Sequence, residues 1–283
     1  METLTTINNW VDEKFPLNRI KVKSRTFSYR TSGIAEGPVI VLLHGIGSAS
    51  GSWAYQLENF SNHYLVIAWD APGYGGSSIL ADKVPKSSDY AVALVEFLGG
   101  LNVQPDILVG HSLGALMAGA YAANGGPIGT ALVLADPANG YGAADQSVRN
   151  EKLAARLANM EKLGPGGLAV ARASALLSST ASDEALAMVR WNMSKLRVDG
   201  HAQAAHMLNG ANLISDANKY DGPTLVMCGS EDTVTPEEGC RRVAGAFLKA
   251  HYQTLQGVGH ASYVEDPAQF DQAILSFVEG CNA

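Results

Sequence analysis

The sequence predicts an α/β fold, a mostly parallel sheet flanked by helices, on three observations. Short β-branched apolar runs recur along the chain. Several are followed by glycine-rich turns, and helical spacing then takes over before the next run. The central runs are near-continuous rather than alternating, the pattern of strands buried on both faces. They are residues 38–43, 64–69, 106–109, 131–135 and 224–228. Residues 20–23 and 26–31 alternate more strictly and predict an antiparallel hairpin at one edge. Residues 252–255 read as a last short strand. Residues 267–279 read as a closing helix, with Asp266 as N-cap and Pro267 at the first helical position.

One stretch breaks the alternation. From 141 to 213 no good strand is visible, and Ala, Leu and Met recur with helical spacing over 151–163, 168–177 and 183–196. Gly164-Pro165-Gly166-Gly167 punctuates it. Because the stretch falls between two strands of one sheet, it is expected to form a helical cap over a site at the strand ends. The expected division is a core of 19–140 and 214–283, a cap of 141–213 and an N-terminal extension of 1–18.

Composition narrows the function classes. The chain has 283 residues, 47% hydrophobic and 17% charged, enough apolar material for a large core. A formal net charge of −7, with charges dispersed, argues against nucleic acid or an anionic membrane as partner. No apolar run is long enough to span a bilayer, and residues 1–18 lack the apolar core of a secretory signal, so a cytoplasmic protein is expected. Three cysteines, Cys228, Cys240 and Cys281, fit neither a disulfide framework nor a metal site. No metal and no cofactor are expected. The glycine-rich stretch from Asp70 to Ser77 does not have the spacing of a dinucleotide fingerprint.

The chemistry lies at the predicted strand ends. Gly110-His111-Ser112-Leu113-Gly114 fits G-x-S-x-G between a strand and a helical run, the context that raises a serine nucleophile onto a tight turn. Leu43-His44-Gly45-Ile46-Gly47 ends another strand; the backbone N–H groups of Ile46 and Leu113 are candidate oxyanion donors, with His44 held structurally beneath the loop. Asp232, after the strand at 224–228, is the candidate acid, and Asp136 after the strand at 131–135 is the alternative. His260 in Gly257-Val258-Gly259-His260 is the candidate base. The order Ser, Asp, His along the chain agrees with this assignment.

These motifs together, with Trp53, the Asp70-x-Pro-Gly-Tyr-Gly-x-Ser77 stretch and Gly229-Ser230-Glu231-Asp232, resemble the α/β-hydrolase fold-1 superfamily over most of the chain. The resemblance implies an eight-stranded, mostly parallel sheet with an inserted helical cap, and a Ser–His–Asp hydrolase. Within it, residues 190–204 followed by Asp216 resemble the late cap of 3-oxoadipate enol-lactonases. The chain is also similar to meta-cleavage product hydrolases, which break a C–C bond and carry Trp after the histidine, where Ala261 stands here.

The implied activity is cleavage of a small ester or lactone through an acyl-enzyme, in aromatic or heterocycle catabolism. C–C hydrolysis is the alternative. A small-molecule receptor on the same scaffold with little turnover, or transfer to an acceptor other than water, would use the same residues. Arg190 beside Trp191 in the cap is the candidate partner for a substrate carboxylate, with Gly45 and His111 as further contacts. The expected partner is a small-molecule substrate; association into a homo-oligomer stays open.

Overall fold

The computed structural model describes residue 7, residues 10–127 and residues 129–282. Positions 1–6, 8 and 9 of the N-terminal segment lie outside the described residues. Eight strands form one sheet: β1 (Asn18–Val22), β2 (Arg25–Gly33), β3 (Val39–Leu43), β4 (Leu65–Trp69), β5 (Ile107–His111), β6 (Ala131–Ala135), β7 (Thr224–Gly229) and β8 (Ala250–Leu255). Their spatial order is β1-β2-β4-β3-β5-β6-β7-β8. The contacts of β1 with β2 and of β2 with β4 are antiparallel, and all others are parallel.

Strand sequence follows strand position. All residues of β3, β5, β6 and β7 are buried, as expected for strands covered by helices on both faces. The edge strands β1 and β8 alternate between more and less buried positions. β2 and β8 run longer than the alternating windows suggested, because backbone pairing with β4 and β7 continues past the apolar residues.

Beyond residue 17 the α-helices are α1 (Ala54–Asn59), α2 (Ser87–Leu101), α3 (Leu113–Ala123), α4 (Gln146–Arg172), α5 (Asp183–Ser194), α6 (Val198–Gly210), α7 (Leu213–Ala217), α8 (Glu237–Ala244), α9 (Ser262–Glu265) and α10 (Pro267–Asn282). Gly164, at φ 62° and ψ 175°, breaks α4 in two, and Pro165 starts the second piece. Asp266 caps α10, accepting from the Gln269 N–H at 3.0 Å. Sequence spacing did not separate α6, whose apolar face is interrupted by Gln203 and His206.

Helices α4 to α6 follow β6 and stand over the strand ends. Two close approaches tie them down. The Ala261 N–H donates to the Leu176 carbonyl at 2.8 Å. A Cβ at Gly200 would lie 1.9 Å from the Gly73 carbonyl oxygen, so only glycine lets α6 meet the loop after β4. That loop is itself anchored by buried Asp70, which accepts from the Ser50 N–H at 2.8 Å and from the Ser28 hydroxyl at 2.5 Å.

The N-terminal segment joins the core. Val11 and Phe15 are buried, and the Arg30 guanidinium donates to the Phe15 carbonyl and pairs with Asp12. Among the described residues no helix is long and apolar enough to cross a membrane.

Candidate active site

Ser112 occupies the turn between β5 and α3, at φ 53° and ψ −111°. This is a sparsely populated conformation for a residue with a side chain, and it persists only where neighbours enforce it. The flanking glycines explain why the turn can form. A Cβ at Gly110 would stand 2.5 Å from the Gly114 carbonyl oxygen, and one at Gly114 would stand 2.2 Å from that of Leu43. The Ser112 N–H is fixed by the Ala135 carbonyl at 2.9 Å.

The loop after β7 brings Asp232 to the histidine loop. His260 Nδ1 lies 2.8 Å from Asp232 Oδ2, and both residues are buried. The other carboxylate oxygen accepts the N–H groups of Val234 at 2.7 Å and Thr235 at 3.0 Å. Burial alone would raise the Asp232 pKa; the hydrogen bond and charge of His260, then the Thr235 bonds, outweigh it and hold the carboxyl at about 2. An ionised partner at Nδ1 places the ring proton there and leaves Nε2 as an acceptor.

Asp136, the alternative acid, is buried elsewhere. Its oxygens accept the Gly229 N–H at 2.8 Å and the Ser262 hydroxyl at 2.7 Å. Burial, reinforced by the neighbouring Asp232 charge, pushes its pKa well above the carboxylate range. It braces the ends of β6 and β7 against the segment after His260. Glu231 turns away, accepting the Ser179 N–H at 3.3 Å.

Sequence reading assigned no role to Thr235. Its hydroxyl lies 2.7 Å from Asp232 Oδ2, 3.1 Å from His260 Nδ1 and 3.0 Å from the Asp136 carbonyl oxygen. The available signal was its place three residues beyond Asp232 in the same short loop.

His44 and His111 are held neutral by burial. His44 Nδ1 faces the Gly45 carbonyl at 2.8 Å, and Nε2 accepts the Ala71 N–H at 3.1 Å. His111 Nε2 lies 2.7 Å from the His260 carbonyl oxygen. Burial, then the neighbouring His260, lowers the His111 pKa to about 3.

A cavity of about 640 Å³ opens between the strand ends and the helices above. Ser112, His260, Ile46, Leu113, Gly45 and His111 all line it. Arg190 and Trp191 do not, which corrects the expectation for both. On α5 the residues that face inward are Val189, Asn192 and Met193, spaced by three and four, so 190 and 191 point away. Trp191 packs against Gly51, where a Cβ would meet its ring at 2.7 Å. The inward cations are instead Lys152, Arg156, Arg172 and Arg242. Lys152, Ala155, Arg156 and Asn159 form an i, i+3, i+4, i+7 stripe of α4, a signal legible in the sequence once one face of that helix is followed.

Among the described residues, Asp136, Cys228 and Asp232 bring donor atoms within 4.8 Å of one another. These atoms are engaged by the protein, the carboxylates as above and Cys228 Sγ with the Gly229 and Thr235 carbonyls. They form a structural hydrogen-bonding cluster.

Comparisons with known proteins agree with this architecture. The chain is 25% identical over 270 residues to 3-oxoadipate enol-lactonase 1 of Acinetobacter baylyi, covering 91% of this chain and 94% of that one. It is 40% identical over 94 residues to (E)-2-((N-methylformamido)methylene)succinate hydrolase of the same organism, covering 33% and 35%. The enol-lactonase of Burkholderia xenovorans LB400 superposes with a TM-score of 0.82 at 22% identity, over 93% of this chain and all of that one (100%). The sequence model of the alpha/beta hydrolase family matches residues 40–273, most of the chain, and the protein belongs to that family of hydrolases.

Proposed function

We propose that this hydrolase is a serine enzyme that cleaves a small carboxylic ester or lactone through an acyl-enzyme. The observation that carries the reading is the shared cavity. Ser112, strained on its turn, and His260, 2.8 Å from an ionised Asp232, line the same space. His260 Nε2 takes the Ser112 proton as Oγ attacks the carbonyl. The backbone N–H groups of Ile46 and Leu113 hold the oxyanion. The imidazolium, stabilised by Asp232, then protonates the leaving oxygen. Water, activated by the same histidine, releases the acid and restores Ser112.

Ester or lactone cleavage is favoured over C–C cleavage by the position after the histidine. Ala261 there is buried and its N–H is bound to the Leu176 carbonyl. The test is turnover of p-nitrophenyl esters, enol-lactones and meta-cleavage dienones by the wild type and Ser112→Ala. Turnover of esters or lactones that depends on Ser112 is expected. Dienone cleavage alone, or turnover that survives the substitution, would contradict the reading.

A further inference from the structure

The cavity wall is strongly one-sided. Lys152, Arg156, Arg172 and Arg242 line it, and no Asp or Glu does among the described residues. This is notable in a chain with 27 acidic residues against 20 basic ones. Some cations elsewhere are paired, such as Lys14 with Glu58, Arg25 with Glu96, Arg30 with Asp12 and Arg241 with Glu237. Lys152, Arg156 and Arg172 have no ion pair among the described residues.

The four cations are not equivalent. Lys152, Arg172 and Arg242 are exposed at the rim, and Arg242 has Glu238 as a neighbour at 2.5 Å. Solvated rim charges attract anions at a distance but bind weakly. Arg156 is half-buried, close enough for its charge to act on buried His201 and Tyr74. His201 also lines the cavity; it is 4% exposed, and its buried Nδ1 has no hydrogen-bond partner. Burial, then the Arg156 charge, keeps this ring neutral, with a pKa lowered to about 4. A partly desolvated guanidinium without a carboxylate and a buried imidazole nitrogen without a partner are both costly unless a ligand supplies what is missing. A carboxylate does so for the guanidinium, which binds it through two parallel N–H groups.

We infer that Arg156, which shares the cavity wall with His201, receives the free carboxylate of an anionic substrate, so that the enzyme prefers esters or lactones carrying a carboxylate remote from the scissile carbonyl. This rests on the ester-hydrolase reading and narrows its substrate class. Arg156 takes the role that the sequence suggested for Arg190.

The test compares mono-p-nitrophenyl adipate with p-nitrophenyl hexanoate, which are similar in length and differ in the terminal carboxylate. Wild-type enzyme should show the higher kcat/KM on the adipate. Arg156→Gln should reduce the adipate-to-hexanoate ratio by roughly 10–100-fold, chiefly through KM, the range for a lost charged hydrogen-bonding partner. Arg156→Lys should recover part of it, and Arg190→Gln should keep the wild-type ratio. Ser112-dependent hexanoate turnover with no adipate preference, or a ratio unmoved by Arg156→Gln, overturns the anion recess alone. Absence of Ser112-dependent turnover on both esters overturns the hydrolase reading and this inference with it.

Discussion

The floor and the roof of the cavity are built differently. In the floor, Ser112, Asp232 and His260 are at most 7% exposed and sit where strands end. Nearly every polar atom described around Asp232 is tied to a neighbour, through Thr235, Val234 and His260. In the roof, α4 presents Lys152, Arg156 and Asn159 toward the cavity, and among the described residues no carboxylate lines that wall. The difference teaches how the work is divided. Under the proposed mechanism, a tightly cross-bonded floor would keep the reacting groups in fixed geometry, while the roof would leave its hydrogen-bonding capacity to the substrate.

The sharpest way to break this comparison is Ser112→Ala. Turnover should fall by roughly 10⁴-fold or more with the fold intact, read by ester kinetics beside circular dichroism. The two buried carboxyls come next. Asp232→Asn should cost about 10³–10⁴-fold in kcat, because the ring loses the ionised partner that fixes its tautomer. Asp136→Asn keeps a neutral group of the same shape and should stay within about tenfold of wild type. If both cost the same, the assignment of Asp232 over Asp136 is wrong.

The floor was legible in the sequence for a steric reason. Its motifs record where a side chain does not fit, as at Gly110 and Gly114, and such exclusions appear as fixed local spacing. The fold was legible because strands covered on both faces must be apolar throughout, as β3, β5, β6 and β7 are. The roof was less so. Its residues reach the cavity through helix phase, and phase depends on how α4 and α5 dock, which no local motif encodes. The sequence offers Arg190 as a partner for a carboxylate because it adjoins Trp191. On the helix, one residue of rotation carried it off the cavity face. Thr235 was missed for another reason: its hydroxyl matters through three partners drawn from separate loops.

Smaller effects probe how the roof is attached. Gly200→Ala places a methyl group against the Gly73 backbone and should destabilise the protein by about 1–3 kcal/mol, seen as a lower Tm. A larger loss in activity than in stability would show that the position of α6 also shapes the cavity.

The acid limb of stability probes the floor. The Asp232 pKa is depressed to about 2, below the usual ~3.9 of an unfolded aspartate. Its hydrogen bonds with His260, Val234 and Thr235 therefore stabilise the protein above about pH 4. That contribution, on the order of 2–3 kcal/mol, is lost as pH falls through the folded value. Urea unfolding from pH 5 down to 2 should show a shallower decline for Asp232→Asn than for wild type, and parallel declines would remove the basis for an ionised acid.

The most direct test of the account is the covalent intermediate itself. Rapid mixing of a p-nitrophenyl ester with wild-type enzyme, followed by acid quench and peptide mass analysis, should find one acyl group on Ser112. The same treatment of Ser112→Ala should find none. An acyl group on another side chain, or ester turnover by Ser112→Ala at the wild-type rate, would contradict the serine mechanism.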